Sequence, residues 1–151
     1  MATGATVKLS NSAGYALVHH NNHVWRGQNP VYPERIENGK SEKFKHDADK
    51  DGAAEAVVVY RMADTFDWLV SWYVAPTAEN HVYTEIGAPG SFDKDWDSIK
   101  ANLEKASSDG KFTYVAQTVE YTAVVNIEKG TSPGLTASIE SSGSAAGSSA
   151  N

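Results

Sequence analysis

Apolar and polar residues alternate with a period of two along much of the chain, which is the spacing of strands with one buried face. The strongest alternation is at residues 66–74, whose one face carries only apolar side chains: Phe66, Trp68, Val70, Trp72 and Val74. Residues 54–62 are instead apolar at both parities, as expected of a central strand that is covered on both faces. The pattern predicts a mainly β protein whose core is anchored by residues 66–74.

Shorter stretches of the same kind predict further strands, at residues 6–10, 15–20, 81–86, 111–116, 117–129 and 135–140. Asn21 and Asn22 are typical of a tight hairpin turn, because Asn tolerates positive φ. Residues 27–43 contain Gly and Pro but few apolar side chains. We therefore expect a long ordered loop, or a set of short edge pieces, in that segment.

The period of the pattern changes after residue 90. Trp96, Ile99 and Leu103 recur at helical spacing, with three aspartates near the start of this stretch and Gly110 just beyond its end. The spacing predicts a helix at about residues 93–107 that packs on the sheet. The strands and the helix predict a sandwich or a barrel with one helix laid against it, and an antiparallel β-sandwich is the favoured fold class.

The chain has 151 residues, a length that fits one domain. We place a single sandwich domain at residues 1–140. Residues 141–151 contain only Ser, Gly and Ala before the last residue, and we expect them to form a disordered tail.

The formal net charge of −6 argues against nucleic acid as a partner, because that recognition depends on basic side chains that neutralise phosphates. The absence of cysteine excludes thiol catalysis and cysteine-ligated zinc. The first residues lack the pattern of a signal peptide, and no apolar run approaches the roughly 18 residues of a membrane span. We expect a soluble, cytoplasmic protein that meets membranes only peripherally, while the oligomeric state stays open.

One motif has the appearance of a metal site. Asp47, Asp49, Asp51 and Gly52 follow the spacing at the start of an EF-hand loop, in which alternate carboxylates converge on Ca²⁺. The twelfth position of that loop should be Glu and is Val58, and a β pattern follows at once. A polar turn is the favoured interpretation, and a weak calcium site is the alternative.

Five histidines are the other candidates for chemistry, at positions 19, 20, 23, 46 and 81. No acidic residue lies close to His20 or His23 in sequence to complete a metal-ligand set, so we expect neither a metal nor a cofactor. The chain also lacks a Gly-x-Ser-x-Gly elbow and a phosphate-binding Gly-rich loop. We expect no catalytic residues, although a small enzyme that uses His20, His23 or His46 remains an alternative.

Two aromatic residues near the irregular segment are not explained by strand alternation. Trp25 precedes Arg26, and Tyr32 lies between two prolines. Trp and Tyr at the rim of a loop suit recognition of sugars, choline head groups or interfacial lipid. The alternative is that both rings close a small core under the loop.

Several short motifs occur in an order typical of one family. They are His20, Trp25-x-Gly27, Tyr32-Pro33-x-x-Ile36-x-Asn38-Gly39, Phe44-x-His46, Gly52, Ala56-Val-Val-Val-Tyr60-Arg61, Trp68-Leu69-Val-Ser-Trp72 and Val82-Tyr83-Thr84-Glu85-Ile86, followed by the helix with Trp96. Over about residues 15–128 the chain thereby resembles the plant jasmonate-induced proteins, which are grouped with nakanori-like proteins.

The resemblance implies an actinoporin-like β-sandwich that recognises membrane lipid head groups of the sphingomyelin and cholesterol type. Residues 1–14 are too short and too polar for the amphipathic helix with which actinoporins open pores, so we expect recognition without pore formation. The expected ligand-binding residues are aromatic rings that stack on choline, with Arg26 on the phosphate: His20, Trp25, Arg26, Tyr32, Tyr73 and Tyr83.

A carbohydrate-binding module with a role in stress or defence is the alternative that uses the same rings. The expected partner is therefore a membrane lipid or a glycan surface.

Overall fold

The computed structural model describes residues 4–75, 79–93 and 95–141. Within these ranges the chain forms ten strands and one helix. The strands are β1 (Gly4–Ser12), β2 (Leu17–Arg26), β3 (Arg35–Ile36), β4 (Ser41–Asp47), β5 (Ala54–Met62), β6 (Phe66–Val74), β7 (His81–Gly87), β8 (Asp109–Ala116), β9 (Val119–Ile127) and β10 (Gly134–Ser141), and the helix is α1 (Trp96–Lys105). None of the described helices is long and apolar enough to cross a bilayer.

The strands form two five-stranded sheets that pack face to face. The first sheet has the order β4-β1-β10-β9-β8 and the second has the order β3-β2-β5-β6-β7. Strands β1 and β10 pair in parallel, and the other described pairs are antiparallel. The predicted mainly β sandwich with one helix is confirmed.

The core lies between the two sheets and is filled by the alternate side chains of each strand. Trp68 and Trp72 of β6 are fully buried, and Phe66 packs on Tyr121 of β9 with ring centroids 4.7 Å apart. The apolar face predicted for residues 66–74 belongs in full to this core. Large aromatic side chains contribute much of the area that a core removes from water, which is why this strand anchors the fold.

Strands β5 and β6 are buried on their outer face as well, because α1 and the loop before it lie across the second sheet. Val57, Val59 and Leu69 pack there against Phe92 and Ile99. The prediction that residues 54–62 form a strand covered on both faces is therefore confirmed, and the same contacts explain why its apolar residues do not alternate.

The helix is shorter than the predicted range of 93–107. It begins at Trp96, because the side chain of Asp95 caps it by accepting a hydrogen bond from the backbone N–H of Ser98. It ends at Lys105, because Ala106 is extended and its carbonyl is bonded to the ring of His81. Asp95 thus caps the helix at the end of the preceding loop, and Ala106 connects the other end of the helix to β7.

The hairpin turn predicted at Asn21 and Asn22 is wrong. Strand β2 continues through both residues, which pair with Val59 and Val58 of β5. A turn needs the chain to reverse, whereas here the pairing with β5 holds it extended. Register shifts in this pairing lie between His19 and Asn21 and again between Val24 and Arg26, so the strand accommodates extra residues as β-bulges.

The long loop predicted at residues 27–43 ends earlier than expected, because β4 starts at Ser41 and pairs with β1. The prediction missed β4 because it is an edge strand in which only Phe44 and His46 are buried. Exposed polar side chains on an edge discourage pairing with other chains. The short strand β3 fits the expectation of edge pieces.

The strand predicted at residues 117–129 begins two residues later than expected. Gln117 and Thr118 have positive φ angles of 50° and 70° and form the two-residue turn between β8 and β9. Ser141, which we placed in the tail, is the last residue of β10. The rest of the predicted tail lies outside the described residues.

Candidate functional site

Three aromatic rings meet on the outer side of the second sheet, where β2 passes the start of α1. The ring of His23 stacks on Trp96, with centroids 5.4 Å apart and planes at 12°. The ring of Trp25 meets His23 edge-on, also with centroids 5.4 Å apart. We call His23, Trp25 and Trp96 the ring stack. Each of the three side chains is only partly buried.

Two local features produce the ring stack. The bulge between Val24 and Arg26 gives β2 an extra residue at Trp25, and a bulge re-aims the side chains beside it. The cap at Asp95 fixes the first turn of α1 and with it Trp96. Both indoles pack on the apolar cluster beneath the helix, so one side of the stack is supported by the protein while part of it meets solvent.

Acidic residues flank the ring stack in the chain. Asp95 and Asp97 flank Trp96 in the chain, and both are exposed. Tyr83 packs on the same apolar cluster and donates a hydrogen bond of 2.7 Å from its hydroxyl to Glu85. Burial raises the pKa of Tyr83 to about 12, and the bond to the carboxylate adds to the effect. Partly exposed indole faces beside carboxylates are suited to a cationic group.

Arg26 follows the ring stack along β2 but is already paired. Its Nε donates to Asp49 Oδ2 at 3.1 Å, and its Nη2 lies 3.7 Å from Asp51 Oδ2. Asp49 also accepts hydrogen bonds from the backbone N–H groups of Asp51 and Ala53, and these bonds lower its pKa. The aspartate-rich segment at residues 47–52 is therefore a polar turn that holds Arg26, as the favoured interpretation predicts. The Arg26 side chain keeps 37% of its surface exposed.

Arg26 and Tyr73 belong to one row across the second sheet. The cross-strand neighbours in this row are Arg26, Glu55, Tyr73 and His81, on β2, β5, β6 and β7. The ring of Tyr73 stacks on His81 with centroids 5.9 Å apart. Glu55 is buried, and this burial together with the carboxyl group of Glu104 on α1 raises the pKa of Glu55 to about 8.

His20 lies in a separate network near the other end of β2. Its Nε2 is 3.0 Å from Asp93 Oδ1 and 3.1 Å from Nη2 of Arg61. Arg61 donates two hydrogen bonds, of 2.7 and 3.0 Å, to the fully buried Asp67, which also accepts the N–H of Gly90 at 2.8 Å. This network ties the loop before α1 to β2, β5 and β6.

The same network contains the one group of candidate metal ligands found among the described residues, namely His20, Asp67 and Asp93. The guanidinium of Arg61 already neutralises Asp67 and lies beside the His20 ring. A divalent cation at this point would face a fixed positive charge. We therefore assign the group a structural role.

Tyr32 lies apart from the ring stack, on the core side of β2. Its ring centroid is 5.1 Å from those of His19 and Phe44, and Phe44 in turn contacts Trp72. Its hydroxyl is buried, and none of the described residues gives it a hydrogen-bond partner. Burial raises the pKa of Tyr32 well above its usual range. Tyr32 therefore packs inward, as the alternative interpretation expected, but against the main core and not against a separate small core under the loop.

The path of rings that includes Tyr32 ends inside the protein at His46, and we call His19, Tyr32, Phe44, Trp72 and His46 the ring chain. The Nε1 of Trp72 donates a hydrogen bond of 2.8 Å to Nδ1 of His46, which is fully buried. Burial lowers the pKa of His46 to about 4, so its ring is neutral near pH 7. The ring chain links the loop to the core.

The predicted site residues thus divide among four places. Trp25 and Tyr83 share the apolar cluster under α1, Arg26 and Tyr73 share the next row, and His20 and Tyr32 are each elsewhere. The histidines of the enzyme alternative do not converge either, since His23 belongs to the ring stack and His46 to the core. His23 and Trp96 were not among the predicted ligand-binding residues. A continuous β2 would have placed His23 and Trp25 on one face.

Comparison with known proteins identifies relatives in sequence and in structure. The family model for Nakanori-like proteins matches residues 3–142. A jasmonate-induced protein homolog of Atriplex canescens is 35% identical over 122 residues, which cover 74% of this chain and 66% of that relative. The chain thus spans slightly less than two thirds of the length of that relative.

Two solved structures share the architecture. The crystal structure of the lipid binding protein Nakanori superposes with a TM-score of 0.79 at 16% identity, over 93% of this chain and 72% of that one. The wild-type lectin of Xerocomus chrysenteron superposes with a TM-score of 0.59 at 12% identity, over 93% of this chain and all of that one. At these identities the likeness concerns the fold. The match of the family model over nearly the whole chain shows that this protein belongs to the Nakanori-like protein family.

Proposed function

We propose that this chain is a non-catalytic protein that binds membrane lipid head groups of the choline type at the ring stack. The observation that carries the proposal is the partly exposed stack of His23, Trp25 and Trp96, in which Trp96 is flanked in the chain by the exposed Asp95 and Asp97. A trimethylammonium group is attracted to the faces of indole rings, and nearby carboxylates add a favourable charge. The net charge of −6 suits a zwitterionic lipid better than an anionic one.

The relatives support a lipid ligand. Nakanori, which shares the fold, is a lipid binding protein. We extend this to sphingomyelin in membranes that contain cholesterol. We also propose that binding does not open pores, because Gly4–Ser12 is held as β1 between β4 and β10 and is not available as an inserting helix.

The remaining predicted residues have different parts in this proposal. Trp25 contacts the ligand, and Tyr83 supports the cluster on which the stack rests. Arg26 presents its exposed side to the lipid phosphate while Asp49 keeps the guanidinium in place. Tyr73 lies in the row of Arg26, whereas His20 and Tyr32 hold the loops on either side of the stack.

A vesicle sedimentation assay tests the proposal. The panel contains vesicles of phosphatidylcholine, of phosphatidylethanolamine, of sphingomyelin and of sphingomyelin with cholesterol. We expect the protein to sediment most with the last and least with phosphatidylethanolamine, which keeps the phosphate but lacks the trimethylammonium group. No sedimentation with any vesicle, or equal sedimentation with all of them, contradicts the proposal.

Variants of the ring stack locate the binding site. Trp25→Ala and Trp96→Ala should each weaken vesicle binding about fivefold, since one cation–π contact contributes about 1 kcal/mol. Trp25→Phe should retain part of the affinity. Val124→Ala, an exposed position on the first sheet, is the matched control and should bind as the wild type does. Wild-type binding by both tryptophan variants would place the site elsewhere.

Carbohydrate binding is the second candidate, and the shared fold of the Xerocomus chrysenteron lectin favours it. Indole faces also stack on sugar rings. A glycan array decides between the two ligands. Signals above background that disappear in Trp25→Ala would support a glycan, and an array without such signals removes this candidate.

A further inference from the structure

The opposite end of the sandwich contains an open cavity of about 320 Å³. It lies between the turn that joins β5 to β6 and the turn that joins β8 to β9. Its floor includes Met62, Val119 and Tyr121, and its rim includes Tyr15 and Gln117. Met62 and Tyr121 are nearly fully buried, so the cavity reaches the edge of the main core from outside. We call this cavity the mouth.

Both turns at the mouth contain non-glycine residues with positive φ. Ala63, Gln117 and Thr118 have positive φ angles of 48°, 50° and 70°. Over the part of the chain that the structure describes, these are the only non-glycine residues in that region. A β-branched residue such as Thr118 is especially uncommon there. Backbone strain of this kind clusters at sites that hold ligands.

One large apolar side chain is exposed at the mouth itself. Tyr15, which lines the cavity, is 69% exposed. Val115 precedes the lining residue Ala116 and is 61% exposed, while Val18 lines a separate shallow cavity that also includes Ala63. An exposed ring at the opening of a cavity is available to contact an occupant.

The volume and the charge of the mouth restrict its occupant. A cavity of about 320 Å³ is at the lower end of the range for small-molecule pockets, and an α-helix about 10 Å wide does not fit it. Among the described residues that line the mouth, none carries a charged side chain. The mouth therefore suits a neutral molecule, with apolar atoms on Met62 and Val119 and one polar group at the rim.

The mouth is not the apolar end of the head-group site. On β5, Met62 lines the mouth and Val57 pairs with His23, and these two residues are five positions apart, which corresponds to about 17 Å at the rise of a strand. We propose that the mouth is a second binding site, which takes a small, neutral and largely apolar molecule independently of the ring stack.

Binding of the neutral fluorescent probe N-phenyl-1-naphthylamine tests this inference without vesicles. We expect saturable binding of one probe per chain. Ala116→Leu adds bulk at the wall of the mouth and should weaken binding at least tenfold. Tyr15→Ser removes an exposed ring at the rim without changing the core, and it should weaken probe binding about threefold. Val124→Leu, which adds one methylene at an exposed position, should bind the probe as the wild type does.

Two controls separate the mouth from its surroundings. Val115→Ser removes an exposed valine outside the cavity. If Val115→Ser loses probe binding while Ala116→Leu keeps it, the probe binds to the outer surface, and the inference is overturned. Absence of saturable binding, or wild-type binding by both Ala116→Leu and Tyr15→Ser, would also overturn it.

The same variants distinguish this inference from the proposed function. Trp25→Ala should bind the probe normally and vesicles weakly, and Ala116→Leu should show the reverse. If no vesicle is bound by the wild type but the probe result holds, the head-group proposal fails and the second site stands.

Discussion

The ring stack and the ring chain use the same kinds of side chain in opposite ways. In the ring chain, burial raises the pKa of Tyr32 and lowers that of His46 to about 4, so each titratable ring is kept neutral. In the ring stack, His23 lies between two indoles that are partly exposed. Aromatic residues close in sequence thus pack in the core on one face of β2 and stay partly exposed on the other, where we propose that they bind a ligand. The side of the strand matters more than the residue type.

The largest expected difference concerns stability. Trp72→Ala should lower the free energy of unfolding by about 3–5 kcal/mol, because it leaves a cavity and removes the hydrogen bond to His46. Trp25→Ala should cost less than half as much, since its ring is only partly buried. Urea denaturation measures both, with Trp72→Phe as a control that keeps most of the ring volume. Equal losses in the two alanine variants would contradict the division into packing and recognition.

The next largest expected difference is in how stability depends on pH, because the ring chain and the outer face of the second sheet each contain one group with a strongly shifted pKa. His46, in the ring chain, has a folded pKa of about 4 against 6.5 unfolded, so its contribution is present above pH 6.5 and is lost as the pH falls towards 4. Glu55, beneath α1, has a folded pKa of about 8 against 4.5 unfolded, so its contribution is present below pH 4.5 and is lost as the pH rises towards 8. The two trends oppose each other between pH 4.5 and 6.5.

Above pH 6.5 the contribution of His46 no longer changes, and only that of Glu55 does. The free energy of unfolding should therefore fall with rising pH by at most about 1.4 kcal/mol per pH unit. Thermal unfolding at half-unit steps from pH 6.5 to 8 measures the slope. Glu55→Gln should flatten it, whereas His46→Gln should change only the acidic side. An unchanged slope in Glu55→Gln would show that the carboxyl pair with Glu104 does not govern this range.

The smallest expected effect on stability comes from removing the hydroxyl group of Tyr32. Tyr32→Phe removes a buried hydroxyl that has no hydrogen-bond partner among the described residues. Losing such a group relieves its desolvation cost, so stability should stay the same or rise by up to about 1 kcal/mol. Vesicle sedimentation should not change. Reduced vesicle binding in a stable Tyr32→Phe protein would mean that the ring chain takes part in recognition.

Periodicity predicted the fold well where strands are amphipathic or fully covered. The bounds of β5 and β6 agree with the predicted 54–62 and 66–74, because the side chains that these strands bury leave a direct trace in the sequence. Strand β4 escaped prediction, because an edge strand buries only two side chains. The sequence did not predict that β2 is continuous, because the extra residues at its bulges and the two Asn residues interrupt the alternation of apolar and polar positions.

The site was harder to predict than the fold. Trp25 was recognised as unusual, but its partners are His23, on a strand interpreted as a turn, and Trp96, on a helix interpreted as core. The pairing of Arg26 with Asp49 joins residues 23 positions apart, and nothing in either motif points to the other. Contacts between distant segments depend on sheet order, which alternation of residues does not encode.

The position of β10 has a consequence for synthesis of the protein. This strand joins β1 to β9, so the first sheet stays in two halves until Gly134–Ser141 has emerged from the ribosome. The hairpins of β5, β6 and β7 form between neighbours in the chain and need no such wait. Until the last strand arrives, β1 and β9 each offer an unpaired edge to other nascent chains. Pairing of β10 with both neighbours removes these two edges at once.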